Sequence, residues 1–145
     1  MFKTILAPIS SDMVTVKSIK KISDLAKADS ATIIFVYVSD PRAPFIYTRK
    51  ASDYKISDTN HKKACEAHAQ ELFKKAEKLM DKSVSFKTSH VFKAVVYEGI
   101  LEAAKNFKAD VIVMASHKRT GIKGVIMSSD THAVIVHTNL PVIAL

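Results

Sequence analysis

Cysteine is almost absent from this chain. Cys65 stands alone among 145 residues, which excludes an internal disulfide. That fits a reducing compartment, and a cytoplasmic location is expected. No apolar run approaches the eighteen or so residues of a membrane helix, and the opening MFKTILAPIS lacks a signal-peptide pattern. No membrane association is therefore expected. Also missing is a strand in which aromatic and basic side chains interleave to stack bases. The net charge of +8 leaves weak attraction to polyanions open. The lysines, however, are spread over several expected helices, among them Lys17, Lys20, Lys21, Lys62, Lys63, Lys74, Lys75 and Lys78. Such spacing reads first as solvated helix faces, and nucleic acid is not an expected partner.

Familiar catalytic patterns are lacking too. There is no G-x-S-x-G elbow and no paired Asp/Glu set at strand ends. Of the six histidines, His61 and His68 lie seven apart on one expected helix, and no cysteine or carboxylate completes a ligand set around them. His132 and His137 miss the i, i+4 spacing. No metal site and no catalytic residue is expected. Cys65 falls on an apolar helix stripe, where it reads as a small buried hydrophobe.

What is present is an alternation of strands and helices. Phe2 to Ile9 reads as a buried first strand, and Ser10, Ser11 and Asp12 offer N-cap chemistry for a helix striped by Val16, Ile19, Ile22, Leu25 and Ala26. Ala31 to Val38 reads as a second strand, buried on both faces as in parallel sheets. After Asp40-Pro41 comes a polar stretch to about Asn60, expected as a long irregular connection. A helix from about Asn60 to Lys82 follows, striped by Cys65, Ala69, Leu72, Phe73, Ala76, Leu79 and Met80. Val84 to Phe92 alternates with period two, as a strand nearer the sheet edge. Ala94 to Phe107 reads as a helix with Val96, Ile100, Leu101, Ala104 and Phe107 inward. Strand Val111–Met114, a helix from about Ser129 to His137 and strand Pro141–Leu145 complete the chain. The length suits one domain, residues 1–145, with no repeat or low-complexity tract. The pattern predicts an α/β fold, an open five-stranded parallel sheet with helices on both faces, Rossmann-like or flavodoxin-like.

In such folds ligands bind where loops leave the carboxyl ends of the strands. The loop after Met114 carries Ser116, His117, Lys118, Arg119 and Lys123, with Gly121 and Gly124 permitting unusual backbone and Ser128-Ser129 opening the next helix. Free N–H groups and the helix dipole there favour an anion. The plainer alternative is that a serine only caps the helix while the lysines are solvated.

These segments together resemble the universal stress protein family. The resemblance rests on ILAPIS at the start, VYVSDP after the second strand, ADVIVMASHKRTG, the Ser129 helix start and the PVIAL ending, and it spans essentially the whole chain. It implies strand order 3-2-1-4-5, a stress-response regulator or binding protein, and a homodimer formed through the last strand, Pro141–Leu145, with further protein partners unidentified. It also places a degenerate nucleotide site at Pro8, Ser10, Val38, Met114, Ala115, Ser116, His117, Lys118, Arg119, Gly121, Ser128 and Ser129. Nucleotide-binding members carry the loop G-x-x-G-x9-G-[ST]. In this chain its glycines fall on Ala115, Lys118 and Ser128, and only the hydroxyl position, Ser129, is kept. The aspartate usual after the first strand is Ser10, whereas Val38, at the position that flanks the base, is retained. A side chain at position 118 opposes the close approach of backbone to phosphate, and its Cβ penalises a left-handed conformation by roughly 1–2 kcal/mol. A lysine there offers a point charge in place of a backbone cradle. The expectation is a protein of the branch without tight ATP binding and with no resident cofactor. The alternative is a switch that holds ATP or another adenine nucleotide, with slow hydrolysis as the only candidate activity.

Overall fold

The computed structural model describes residues 1–11, 13–42, 51–115 and 129–145, with the backbone alone at 51–57. Its elements alternate as β1 (Thr4–Pro8), α1 (Val16–Asp29), β2 (Thr32–Ser39), α2 (Ala51–Leu79), β3 (Phe86–Phe92), α3 (Val96–Asn106), β4 (Val111–Met114), α4 (Ser129–His137) and β5 (Val142–Ala144). All pairings are parallel, in the order β3-β2-β1-β4-β5. The architecture and strand order expected from the sequence are the ones observed.

Period-two alternation along the central strands divides the core into two layers. Ile5 and Ala7 of β1, Ile33 and Phe35 of β2, and Val111 and Val113 of β4 face α1 and α2. Leu6, Ile34, Val36, Ile112 and Met114 face α3 and α4. Both faces of β4 are buried throughout, which is why it reads as an unbroken apolar run. Asp110 secures the start of the sheet: its carboxylate accepts from the N–H groups of Lys3 (2.8 Å) and Thr4 (3.1 Å) at the head of β1.

Helices α1 and α2 differ from expectation at their ends, while α4 runs from Ser129 to His137 as expected. Thr15, rather than Ser10, Ser11 or Asp12, caps α1, its hydroxyl accepting from Ser18 N–H at 3.2 Å. The carbonyl of Ser10 instead accepts from Met13 and Val14 N–H, so a turn intervenes before the helix begins. Ile19, Ile22 and Ala26 are fully buried as predicted, but Val16, in the first turn, is 68% exposed. Helix α2 starts at Ala51, not near Asn60, so much of the expected irregular connection is helical. Extension adds one hydrogen bond per residue to an existing helix, and this outweighs the modest propensities of ASDYKISDTN. An Asp58–Lys62 pair at 3.5 Å, acid N-terminal to base, supports that first half. The helix ends before Lys82 because Asp81 redirects the chain: its carboxylate accepts from Ser83 N–H (2.8 Å) and Ser83 hydroxyl (2.6 Å).

Helix α3 lies close to β2 because of Gly99. A Cβ there would sit 2.7 Å from Val38 Cγ1 and 3.2 Å from Lys93 Cβ. Ile100, Ala103 and Ala104 fill the rest of its buried face.

Candidate functional site

The order of the sheet reverses between β1 and β4, the switch point at which ligands of open α/β sheets bind. A cleft opens there, at the carboxyl ends of both strands. Strand β1 reaches it through Pro8, which has no N–H to donate, and Ile9, whose N–H makes a last sheet bond to Val36 carbonyl at 2.8 Å. Ser10 follows at the cleft's edge, with Met13 beneath it. Strand β4 delivers Met114 and Ala115; the Met114 carbonyl accepts from Leu145 N–H at 2.9 Å, which holds that strand end in place. Val96 and Ile100 of α3 and Asp130 and Thr131 of α4 close the sides.

The space walled by these residues is about 150 Å³. That is below the roughly 300–1,000 Å³ of clefts that bury a drug-sized molecule. Its lining is apolar apart from Ser10, Asp130 and Thr131, and the one charge among the described lining residues, Asp130, is negative. Asp130 sits in the first turn of α4. There the helix dipole favours a carboxylate, but that carboxylate opposes an approaching phosphate.

Of the residues expected at the site, Pro8, Ser10, Met114 and Ala115 come together in this cleft. Ser129 begins α4 next to Asp130. Val38 is not among the described residues that line the cleft, and its side chain packs against Gly99 of α3. Ser116, His117, Lys118, Arg119, Gly121 and Ser128 lie outside the described residues. Six lining residues were not named from the sequence: Ile9, Met13, Val96, Ile100, Asp130 and Thr131. Val96 and Ile100 carried a signal, since both belong to the inward stripe of α3. Their position near its N-terminus puts them at the carboxyl end of the sheet.

Four of the five described histidines make local contacts, while His132 is exposed on α4. His61 Nε2 is 2.8 Å from the Asp40 carbonyl, which can only accept, so that nitrogen carries the proton. Cys65 is half-buried and its Sγ lies 3.6 Å from the same nitrogen, so it is less enclosed than a core position. His68 meets the ring of Tyr37 edge-on at 5.5 Å. His90 Nε2 is hydrogen-bonded to Ser39 Oγ at 2.8 Å, and desolvation lowers its pKa. His137 bonds the Ala133 carbonyl and stacks on Tyr97 at 4.5 Å. No group of three or more His, Cys, Asp or Glu side chains with metal-holding geometry occurs among the described residues.

The fold on which this cleft sits is matched by known proteins. The profile of the universal stress protein family covers residues 1–145. The chain belongs to the universal stress protein family. Universal stress protein MJ0531 of Methanocaldococcus jannaschii is 25% identical over 143 residues, 99% of this chain and 81% of that protein. Among solved structures, the hypothetical protein MJ0577 superposes with a TM-score of 0.73 at 23% identity, covering 100% of this chain and 96% of that one. A universal stress protein in complex with cAMP superposes with a TM-score of 0.62 at 16% identity, covering 99% and 96%. The fold of this family member is therefore shared with proteins whose sequences have diverged widely.

Proposed function

We propose that this universal stress protein is a cytoplasmic stress-response regulator that works by binding partners, without tight ATP binding. The observation that carries this reading is the cleft's described wall: small, mostly apolar, with Ala115 at the first glycine position of the nucleotide loop, Ser10 in place of an aspartate, and Asp130 as its one charge. Among the described residues such a wall offers a triphosphate no basic counter-charge. The absence of any described helix long and apolar enough to cross a membrane is compatible with the cytoplasm. The active form is a homodimer built through β5. That strand lies at the end of the sheet with Val142 and Ile143 half-buried and Ala144 exposed, an apolar edge of the kind that pairs with another copy.

The second reading, an adenine-nucleotide switch with at most slow hydrolysis, is favoured by the cleft's place at the β1/β4 switch point and by the fold neighbour that holds cAMP. Calorimetric titration of protein purified without nucleotide, with the denatured supernatant assayed for bound nucleotide, separates the two. The regulator reading expects no co-purified nucleotide and no heat of binding at millimolar ATP, and micromolar affinity overturns it. The variant Ser10→Asp with Lys118→Gly and Ser128→Gly is expected to gain ATP affinity. If it gains none, these departures are not what closes the site.

A further inference from the structure

The opposite edge of the sheet carries a second surface. We propose that the open edge of β3 is a docking site for an extended acidic segment of a partner protein, added to the sheet as a strand. In the parallel ladder, Ile33 N–H bonds the Ser85 carbonyl and Lys93 N–H bonds the Ser39 carbonyl, so the odd-numbered residues of this stretch turn their backbone toward β2. The N–H and C=O groups of Phe86, Thr88, His90 and Phe92 therefore face outward, and β3 has no neighbour on that side among the described residues. Seven residues of strand offer enough ladder for main-chain recognition.

Beside that edge the end of α2 forms a groove of about 630 Å³. Its floor is Met80, Val84 and Phe86, and its rim carries Lys74, Lys78 and Lys82. None of these three lysines makes an ion pair among the described residues, although Lys20, Lys27, Lys62 and Lys93 each do. Two acids share the groove. Asp81 is occupied by Lys27 at 2.8 Å, so Glu77 alone opposes three lysines. Lys74 and Lys78, four apart on one helix, repel each other at a small cost in helix stability.

Charge complementarity selects the occupant. A second copy of a chain with net charge +8 is repelled here, and Lys87, exposed on the strand itself, adds to that barrier. An acidic strand is attracted by the same charges, and its alternate apolar side chains fit the Met80–Val84–Phe86 floor.

The test uses the full chain and a fluorescent peptide of about ten residues alternating glutamate and valine. The controls are the lysine–valine counterpart, a glutamate-only peptide and a short DNA duplex. The expected result is saturable binding of the glutamate–valine peptide alone, with amide exchange slowed at Phe86, Thr88, His90 and Phe92. Lys74→Glu with Lys78→Glu, both exposed positions, is expected to weaken binding by about tenfold or more at unchanged thermal stability. The proposal is overturned by any of three results: no saturable binding at millimolar peptide, undiminished affinity in the double variant, or equal binding of glutamate-only peptide or DNA without slowed exchange. The last result marks a diffuse polyanion face.

Discussion

The two edges of this sheet solve one physical problem in opposite ways. Strand β3 ends the sheet with seven residues, an exposed lysine on the strand and a lysine rim beside it. Strand β5 ends it with three residues, Val142-Ile143-Ala144, and no charge at all. An unpaired edge invites pairing, and charge is the usual deterrent. Charge of the kind that deters pairing is thus present at β3 and missing from β5. On the two proposals above, self-association and partner recognition fall to different ends of one sheet through a few side chains. The fold between the edges need not change.

The largest effect is expected from removing the ring that anchors the β3 edge to the core. Phe35 is fully buried at the centre of β2 and meets Phe86 of β3 with ring centroids 6.1 Å apart. Phe35→Ala is expected to lower unfolding free energy by about 3–5 kcal/mol, measured by urea denaturation. That is a large fraction of the roughly 5–15 kcal/mol by which such a domain is stable. A loss under about 1 kcal/mol would mean that the β3 half packs independently of this ring.

Next in size is a charge placed on the unguarded edge. Ala144 is exposed, so Ala144→Lys leaves the monomer's core intact. If β5 is the self-pairing edge, a lysine brought in by each copy sets like charges within one interface and weakens the dimer by about 3 kcal/mol, or roughly a hundredfold in dissociation constant. Sedimentation equilibrium reads this directly. An unchanged dimer would move self-association elsewhere. The reciprocal change, Lys87→Val, is expected to promote concentration-dependent association through β3, because it removes the strand's own deterrent.

The contrast between edges was half legible in the residues. PVIAL announced an apolar final strand, and the alternation of VSFKTSHVF announced a strand at the rim. The groove beside β3 was not legible. Lys74 and Lys78 read as a solvated helix face until the end of α2 and the start of β3 were brought together in space. The buried strands were legible because double-sided burial leaves an apolar run that little else resembles. The starts of α1 and α2 were not. Thr15 caps α1 because Ser10 carbonyl draws Met13 and Val14 into a turn, a backbone event that no side-chain pattern encodes. Likewise α2 begins at Ala51 through cooperative extension from a strong helix downstream, which local propensity understates. At the switch-point cleft, the strand ends Pro8, Ser10, Met114 and Ala115 were legible from their place in the chain. Alternation put Val38 on the same face as Ile34 and Val36, but its close contact with a neighbour on α3, Gly99, was not legible, because it depends on how the helix packs on the sheet.

That neighbour gives a prediction of intermediate size. In an exposed helix, Gly→Ala gains about 1 kcal/mol of propensity. At Gly99 the added methyl meets Val38 at 2.7 Å, and overpacking of this kind costs about 1–3 kcal/mol. The second term wins, so Gly99→Ala is expected to destabilise by about 1 kcal/mol. Shortening the obstacle in Gly99→Ala with Val38→Ala is expected to recover part of the loss. If the double variant is as unstable as the sum of the singles, Val38 is not what resists the methyl.

The smallest expected effect belongs to the guarded edge alone and separates it from β5 by pH. His90 on β3 is half-buried, bonded to Ser39, and packed against Tyr37 and Phe92, with Glu66 and His68 on α2 the other titratable groups nearby. Desolvation lowers its pKa below the ordinary 6.5, against a weaker upward pull from Glu66. The folded state therefore binds fewer protons than the unfolded one as pH falls through this range. Stability is full above about pH 6.5 and declines as pH drops toward the depressed value. The carboxylates of Asp29 and Asp40, held low by hydrogen bonds from Phe2 N–H and Arg42 respectively, do not interfere, since they lose their contribution only in stronger acid. Unfolding midpoints measured between pH 7.5 and 5.5 are expected to fall slightly, and the slope to flatten in His90→Gln. Amide exchange should place the loss at Phe86–Phe92 and leave Val142–Ala144 unaffected. A slope that survives the substitution would assign the titration to another histidine and leave the two edges alike in their response to acid.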